Sequence, residues 1–310
     1  MRVFVTGATG ALGRYLVPGL VTAGHEVTAT TRKPGRVAGL REAGAEPVVL
    51  DGLDREAVIA AVLDAAPDVI VHQMTALTGG MRDIRKPDKL FAATNALRTR
   101  GTDNLLDAAE RAGTRRVVAQ SYAGLGPDRR PGPPKTEEDH DDWRPIPAAS
   151  GGRAAIEHVE ETVPARVPEG IVLRYGGFYG PGASDVLLDA VRRRRMPLIG
   201  GGTGVASFIE ITDAALATVT AIESGPPGVY NIVDDDPAPV REWLPYLAEI
   251  VGAKPPPRVP AWLARPAVGE FVVAQMTTSR GYSNAKAKKT LGWEPRYASW
   301  REGFRAWVAG

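Results

Sequence analysis

The feature that most constrains the fold is a glycine-rich turn that follows a short apolar stretch near the N-terminus. Residues 3–5 are Val-Phe-Val, an apolar run typical of a central parallel strand, and Gly7, Gly10 and Gly13 follow it. In a strand–turn–helix unit, the first glycine allows a tight turn, the second lets the backbone approach a phosphate, and the third allows the helix to pack closely on the strand. Because amides at the helix N-terminus then face an anion, the pattern predicts a pyrophosphate site.

Strand and helix patterns alternate along the first part of the chain. The predicted strands are Arg2–Thr6, Glu26–Thr30, Glu46–Leu50, Val69–His72, Arg116–Gln120 and Ile171–Tyr175, and helical patterns between them include Arg55–Ala65, Phe91–Ala112 and Gly152–Val163. This alternation predicts an α/β fold with a Rossmann-type doubly wound parallel sheet. We expect residues 1–180 to form a dinucleotide-binding domain and residues 181–310 a smaller C-terminal substrate-binding lobe, with interleaved chain segments.

Composition excludes several classes of protein. The chain has no cysteine, which removes disulfides, thiolate catalysis and thiolate metal sites. Its formal net charge is +2 over 310 residues, so we expect no nucleic-acid partner. No run of about 18 apolar residues is present and no signal-peptide pattern is found, so we expect a cytoplasmic protein without a membrane partner. We also expect no metal, because the acidic run at residues 137–142 is interpreted as part of a solvated active-site loop.

The glycine spacing is similar to that of a known family. Thr6-Gly7-x-x-Gly10-x-x-Gly13 resembles the fingerprint of extended short-chain dehydrogenases/reductases, which include NAD-dependent epimerases and dehydratases. Residues 229–235 and 291–295 resemble two scaffold segments of that family, so the resemblance spans most of the chain. It implies a nicotinamide dinucleotide cofactor and a small-molecule substrate. Members often dimerise through two helices, which implies a homodimer through residues 91–112 and 152–163.

The end of the second predicted strand indicates which cofactor is used. NAD-using relatives have an acidic residue there that accepts from the ribose 2′-hydroxyl, but this chain has Thr31, followed by Arg32 and Lys33. A carboxylate would repel a 2′-phosphate, whereas a guanidinium binds it with two hydrogen bonds. We therefore predict NADP(H). The alternative is that Arg32 and Lys33 are ordinary charges at an exposed strand end.

The resemblance implies further cofactor residues in the loops after the strands. Asp51 would accept from the adenine amino group, with Leu53 beside the ring, and Asn95 would support the active-site loops. His72 is either a packed histidine or a cofactor contact. The remaining implied contacts are Thr9, Ala11, Leu12, Gly52, Gln73, Met74, Thr75, Gln120, Arg153, Tyr175, Gly177 and Phe178.

The fifth predicted strand ends in a segment that resembles the catalytic-serine strand of the family. Ser121 takes the place of the serine that hydrogen-bonds the reacting carbonyl or hydroxyl, and such a donor stabilises negative charge that develops on oxygen. The family's catalytic tyrosine and lysine fall on Ala149 and Arg153. Arg153 retains a positive charge, but an arginine does not act as a proton donor at neutral pH.

Three explanations for the missing tyrosine remain open. Tyr122 could supply a phenol from another direction, or it could only line the pocket. Tyr175 or Tyr179 could act instead, although buried tyrosines usually pack and hydrogen-bond. Alternatively, the substrate needs no strong acid, as in the reduction of an iminium or a conjugated system. The predicted catalytic residues are Ser121, Tyr122 and Arg153.

The C-terminal half lacks a residue that sugar-nucleotide enzymes use. Residues 200–213 resemble the family segment whose arginine clamps a diphosphate, but Ala206 holds that position and Glu210 replaces a histidine. The absence of this arginine argues against a nucleotide-diphosphate sugar as the substrate. The four arginines at 192–195 could compensate, or they form a solvated helix end. The predicted substrate pocket contains Tyr122, Met196 and Phe208.

These observations predict an NADP(H)-dependent oxidoreductase for a small, rather apolar carbonyl, imine or hydroxyl compound, with a noncanonical proton donor. Two alternatives remain. One is a sugar epimerase or dehydratase, and the other is a redox-inactive NADP-binding regulatory protein.

Overall fold

A computed structural model describes residues 1–77, 84–124, 128, 132–139 and 145–310. The strands in this part of the chain are β1 (Arg2–Thr6), β2 (Glu26–Thr31), β3 (Glu46–Val49), β4 (Val69–His72), β5 (Arg116–Tyr122), β6 (Glu169–Tyr175), β7 (Gly177–Tyr179), β8 (Leu198–Ile199), β9 (Val205–Ala206), β10 (Phe208–Glu210), β11 (Gly228–Ile232), β12 (Ala238–Pro239) and β13 (Arg258–Val259).

The α-helices are α1 (Gly13–Thr22), α2 (Val37–Glu42), α3 (Arg55–Ala65), α4 (Pro87–Leu90), α5 (Ala92–Ala96), α6 (Thr102–Ala112), α7 (Ser150–Arg166), α8 (Asp185–Arg192), α9 (Ile211–Ser224), α10 (Val240–Ile250), α11 (Ala261–Thr277), α12 (Ala285–Leu291) and α13 (Trp300–Ala309). Short 3₁₀ turns occupy Pro34–Arg36 and Pro147–Ala149, and a π-helical turn at Leu97–Gly101 joins α5 to α6.

Seven parallel strands form the central sheet, in the order β11-β6-β5-β4-β1-β2-β3. The sheet confirms the predicted Rossmann-type α/β fold. The six predicted strands form six of its strands, and the seventh comes from residues 228–232. The chain after residue 180 therefore contributes to the central sheet as well as to the C-terminal lobe.

Apolar side chains cover both faces of this sheet. In β1, Val3 and Val5 pack with α1 and α9, whereas Phe4 points the other way and packs with α3, α6 and α7. A strand that is buried on both faces needs a continuous apolar run, which is why residues 3–5 read as a central strand.

The C-terminal lobe has a core of its own, in which aromatic rings dominate. Its buried rings are Tyr179, Phe208, Trp243, Trp300, Phe304 and Trp307. Three two-stranded pairings organise the chain around this core: β7 with β10, β9 with β12, and β8 with β13. No helix in the described part of the chain is long and apolar enough to cross a membrane.

Two glycines of the first turn are required by backbone contacts. Gly7 has a positive φ of 76°, and a Cβ there would lie 2.3 Å from the carbonyl oxygen of Gln73. A Cβ on Gly13 would lie 2.3 Å from the carbonyl oxygen of Ala8. By contrast, a Cβ on Gly10 would have only the Gly7 carbonyl oxygen nearby, at 3.1 Å. Gly7 and Gly13 thus serve the fold itself, and Gly10 leaves the turn open on one side.

We expect Gly13→Ala to lower the free energy of unfolding by about 1–3 kcal/mol, because the new Cβ would overlap a backbone carbonyl. Gly39→Ala is the matched control, since Gly39 lies in α2 and an added Cβ has no atom within 4 Å. It should stabilise by up to about 1 kcal/mol, because alanine is the better helix former. Urea unfolding followed by circular dichroism measures both, and a Gly13→Ala protein as stable as the wild type would contradict the prediction.

Candidate active site

A crevice opens at the carboxyl ends of β1, β2 and β4, where a doubly wound sheet binds its ligands. The described residues that line it are Gly7, Thr9, Gly10, Thr30, Thr31, Arg32, Lys33, Arg36, Leu50, Gln73, Met74, Thr75 and Leu97. The structure therefore brings together the glycine turn, the basic end of β2 and the loop after β4, which the sequence analysis assigned separately to the cofactor.

The crevice has the features that a pyrophosphate requires. Gly10 presents an open side on which the backbone can approach a ligand, and α1 starts at Gly13, directly after the turn. The amides of Arg14 and Tyr15 donate to the carbonyls of Gly10 and Leu12, so the amides that would donate to phosphate oxygens are those that precede them at the start of α1. No carboxylate is among the described lining residues. The residues present thus fit a dinucleotide.

Three exposed cations stand at the end of β2. Thr31 is buried, and its Oγ1 accepts a hydrogen bond of 3.2 Å from the Lys33 amide. Arg32, Lys33 and Arg36 follow it on the surface and line the crevice. Sequence reasoning missed Arg36. The sequence signal for Arg36 was the Pro34-Gly35 pair that precedes it, which is typical of a turn. These residues form a 3₁₀ turn that brings Arg36 back to the end of β2, and the Arg36 amide donates to the Lys33 carbonyl oxygen at 2.9 Å.

The loop after β3 is held by local contacts. Asp51 is exposed, and its Oδ1 accepts from the Leu53 amide at 3.0 Å. Gly52 is buried against Met74, and Asn104 donates to its carbonyl oxygen at 3.0 Å. None of residues 51–53 is among the described crevice-lining residues, so the adenine contact of Asp51 remains a prediction.

His72 is a packed histidine. Its Nδ1 accepts from the Met74 amide at 3.3 Å, so Nε2 carries the proton and donates to Oγ1 of Thr102 at 3.0 Å. Burial, together with the nearby charge of Arg98, lowers the pKa of His72 to about 4. The ring is therefore neutral at physiological pH and fixes the loop that leads into residues 73–75.

Ser121 is engaged by a half-buried ion pair. Its hydroxyl donates to Glu160 Oε1 at 2.5 Å, and Arg174 donates to both oxygens of the same carboxylate, at 2.8 and 2.5 Å. Ser121 on β5 and Arg174 on β6 are register partners, and Glu160 reaches them from α7. In this arrangement the serine joins a strand to a helix and does not face the crevice.

Tyr122 and Arg153 line a small polar pocket. Residues lining the pocket with them include Lys135, Asp139, Glu157, Glu160, Arg174 and Tyr282. Arg153 donates to Glu157 at 2.6 Å along α7, and Tyr122 is 39% exposed. No described residue lines both this pocket and the crevice. The three predicted catalytic residues thus lie near one another but apart from the dinucleotide crevice.

Arg98 is a charged residue in this region that the sequence analysis did not single out. It lies in the π-helical turn, and burial lowers its pKa to about 10, so it stays cationic at neutral pH. Its Nε is buried and makes no hydrogen bond to the described residues. The sequence analysis named Asn95 in the same stretch, and no pattern used there singled out Arg98.

The remaining predicted cofactor residues lie outside the crevice lining. Asn95 is on α5, with Oδ1 buried and without a partner among the described residues, and Gln120 is half-buried on β5. Leu12 is in the sheet core, while Ala11 is half-buried in the turn. Gly177 and Phe178 are half-buried on β7.

Neither of the alternative tyrosines reaches the crevice. The Tyr175 hydroxyl is buried, bonds to Thr218 Oγ1 at 2.6 Å, and accepts from Gln73 Nε2 at 3.4 Å. Tyr179 is buried in the aromatic core, edge-on to Phe304 at 4.9 Å between ring centroids. Burial raises the pKa of both hydroxyls far above the usual value. These contacts favour the packing interpretation of both residues.

A second, larger cavity of about 540 Å³ lies between the Rossmann part and the lobe. Sites for small molecules usually measure about 300–1,000 Å³. Its described lining consists of Ala76, Leu77, Ile84, Leu90, Phe91, Ala183, Ser184, Val186, Leu187, Ala190, Arg195, Met196, Pro197, Ile199, Val268, Val272 and Met276. Of the predicted substrate residues, Met196 lines this cavity, Tyr122 lines the polar pocket, and Phe208 packs in the aromatic core against Trp243.

One chain segment joins the crevice to the cavity. Residues 73–75 line the crevice, and the next two, Ala76 and Leu77, line the cavity. The Ala76 amide donates to Thr94 Oγ1 at 3.0 Å, which ties this segment to α5. Within the described lining of the cavity there is no carboxyl, phenol, imidazole or ammonium group. A ligand in the cavity therefore meets mostly apolar walls beside the nucleotide crevice, with Arg195 as the charged residue of the described lining.

The acidic run is described only in part. The Glu137 Oε1 accepts from the Asn231 amide at 2.7 Å, and Asp139 accepts from the Thr136 amide at 2.6 Å. Residues 140–142 lie outside the described residues. Across the described ranges, no group of three or more His, Cys, Asp or Glu side chains could hold a metal ion.

The fold and the crevice define a Rossmann-type α/β protein with a nucleotide site. The model of the NAD dependent epimerase/dehydratase family matches residues 3–233, and the chain belongs to this family. The resemblance found in the sequence is therefore confirmed.

Relatives of this chain include named reductases. The chain is 43% identical over 309 residues to a 3-diazoavenalumate denitrifying reductase from Streptomyces sp., covering 98% of this chain and 99% of the relative. It is 31% identical to a 4-hydroxy-2-methyl-3-oxo-4-farnesyl-3,4-dihydroquinoline-1-oxide ketoreductase from Stigmatella aurantiaca, covering 82% and 74% of the two chains. In fold, it is similar to UDP-glucose 4-epimerase from Thermus thermophilus in complex with NAD, with a TM-score of 0.74, 24% identity, and coverage of 100% and 98%.

The pKa of His72 predicts how stability depends on pH. The folded protein binds a proton at His72 only near pH 4, whereas an unfolded histidine binds one near pH 6.5. The unfolded state therefore gains a proton first, and the free energy of unfolding should fall as pH drops from 6.5 towards 4, by up to about 1.4 kcal/mol per pH unit. In His72→Gln this dependence should be shallower. Urea unfolding across this range tests the prediction, and equal slopes for the two proteins would contradict it.

Proposed function

We propose that this protein is an NADP(H)-dependent reductase that transfers hydride to a small, largely apolar molecule held in the 540 Å³ cavity. One observation carries the proposal: the segment that lines the crevice at residues 73–75 continues into the cavity wall at Ala76 and Leu77. A dinucleotide in the crevice and a substrate in the cavity would share this wall. Relatives that are named as reductases support the same class of reaction.

The basic end of β2 supports NADP(H) as the cofactor. Thr31 stands where NAD-using relatives have an acid, and Arg32, Lys33 and Arg36 provide cations for a 2′-phosphate. Among the described residues, no carboxylate lies within ion-pair distance of these three cations. The family name and the NAD-bound epimerase support a nicotinamide dinucleotide in general. When bound, the reduced nicotinamide supplies the hydride.

The polar groups of the site limit the choice of substrate. Ser121 is engaged by Glu160, and Tyr122 and Arg153 line a separate pocket. The described cavity lining offers no side-chain acid. We therefore propose an acceptor that is reduced without one: an iminium, a diazo compound or a conjugated double bond. Hydride would add to an iminium carbon, whose C=N π bond breaks to give an amine, or to a conjugated double bond, whose π electrons form an enolate that takes a proton from water. With a diazo compound in its protonated, diazonium form, hydride would replace the nitrogen, which leaves as N2. In each case bound NADPH would supply the two electrons. The relative named for a diazo substrate supports this class.

A sugar nucleotide fits the described cavity less well than a small apolar substrate does. Such a substrate presents two phosphates and several hydroxyls, which require charged and hydrogen-bonding partners. The position of the diphosphate-binding arginine is Ala206, which pairs with Ala238 in a two-stranded sheet. The described cavity walls are apolar apart from Arg195 and Ser184, which are too few polar groups for two phosphates and a sugar ring. This contrast separates the proposed reductase from the epimerases that share its fold.

Arg32→Ala tests the cofactor assignment. The change should weaken NADPH binding by about tenfold or more and NADH binding by less than about threefold, because only NADPH carries the phosphate that Arg32 would bind. Arg41→Ala is the matched control, since Arg41 is an exposed arginine on α2 that is absent from the described crevice lining. Isothermal titration calorimetry measures both. Equal losses for the two dinucleotides would reject the 2′-phosphate site.

A panel of acceptors tests the reaction. The purified protein with NADPH should reduce a cyclic iminium, an aryl diazonium ion or a conjugated enone, and should leave an unactivated ketone unchanged, because only the ketone requires a side-chain acid. Loss of NADPH absorbance reports turnover.

Tyr122→Phe should change kcat by less than about threefold, whereas removal of a general acid costs about 10²–10⁴-fold. Turnover of the ketone with a large loss in Tyr122→Phe would overturn the acid-independent proposal. Binding of NADPH without turnover of any acceptor would reject the reductase.

A further inference from the structure

We propose that Arg195 binds a carboxylate of the substrate at the apolar cavity, and so selects anionic over neutral molecules. The inference rests on the proposed function, because it assigns a chemical group to the ligand of the same cavity. It starts from the run of four consecutive arginines, at 192–195, which the structure divides into different roles.

All four arginines are exposed, but their contacts differ. Arg192 is exposed at the end of α8, and Arg193 donates to Asp189 at 2.7 Å, one turn earlier. Arg194 donates to the Pro255 carbonyl oxygen at 3.3 and 3.2 Å. Arg195 alone among them lines the cavity, and no carboxylate of the described chain lies within ion-pair distance of it. Neither a solvated helix end nor one shared anion site describes the whole run.

The end of α8 directs Arg195 towards the cavity. The amides of Arg194 and Arg195 donate to the carbonyls of Val191 and Ala190, at 2.9 and 2.8 Å, which is the hydrogen-bond pattern of a Schellman motif. Arg194 takes the left-handed position with φ of 54°, a conformation that arginine adopts with difficulty. In a Schellman motif, the second residue after the helix C-cap, here Arg195, normally makes an apolar contact with the residue in the last helical turn at the position of Ala190. Both residues line the cavity.

Arg195 gives the described lining of the cavity one charged group. The other described lining residues are uncharged, and the Ser184 hydroxyl is engaged with the Phe178 carbonyl oxygen at 2.5 Å. A guanidinium offers a planar pair of donors that matches a carboxylate, and its effect is strongest beside apolar surface. A ligand with an apolar body and one carboxylate complements these walls. The body would lie against residues such as Leu187, Val272 and Met276.

The test compares two probes of equal size, 4-phenylbutanoate and 4-phenylbutanamide, by isothermal titration of the full chain. The wild type should bind the acid about tenfold more tightly than the amide, because only the acid pairs with the guanidinium. Arg195→Gln should lose this preference by weakening the acid alone, and Arg195→Lys should keep part of it. Arg192→Gln, three residues away and outside the described cavity lining, should behave as the wild type.

Equal affinity for the two probes in the wild type, an unchanged preference in Arg195→Gln, or no binding of either probe at millimolar concentration would overturn the proposal. Probe binding requires neither NADPH nor hydride transfer. A protein that shows the Arg195-dependent preference but reduces no acceptor would therefore reject the reductase and keep the carboxylate site. A protein that reduces the acceptors but shows no Arg195-dependent preference would reject the carboxylate site and keep the reductase.

Discussion

A close backbone contact between the turn after β1 and the loop after β4 organises the rest of the molecule. Gly7 approaches the Gln73 carbonyl so closely that no side chain fits between them. The contact holds the glycine turn against residues 73–75, and the next residues of that loop form a wall of the apolar cavity. The buried ring of His72, bonded to Thr102, fixes the same loop from the other side. The relative position of crevice and cavity thus follows from one junction between neighbouring parallel strands.

The sheet could be predicted from the sequence because each strand is a local signal. Residues 3–5 must be apolar throughout, since β1 is covered on both faces, and the other strands were predicted from local strand patterns that alternate with helical ones. The seventh strand was different. Residues 228–232 were noticed as a scaffold segment, but their pairing with β6 joins positions more than fifty residues apart in the chain. No local pattern contains that information.

The polar groups were harder to predict, because their partners are distant in sequence. Ser121 aligned with a catalytic serine, yet its hydroxyl is engaged by Glu160 and Arg174. Those partners come from a helix and a strand that follow it. The run of arginines had the opposite problem: the residues are adjacent, and only the left-handed turn at Arg194 separates Arg195 from the others. The sequence alone shows which of these residues are charged, but the contacts of each charged side chain depend on the tertiary structure.

The three exposed cations at the end of β2 have a consequence for kinetics as well as for affinity. Arg32, Lys33 and Arg36 carry the same sign on one rim, and no described carboxylate lines the crevice beside them. Fields of this kind draw a polyanion in from solution and raise its rate of encounter, and added salt weakens the attraction. A phosphorylated ligand should therefore reach the crevice more slowly as ionic strength increases. An uncharged molecule entering the apolar cavity would diffuse there at a rate that salt leaves unchanged.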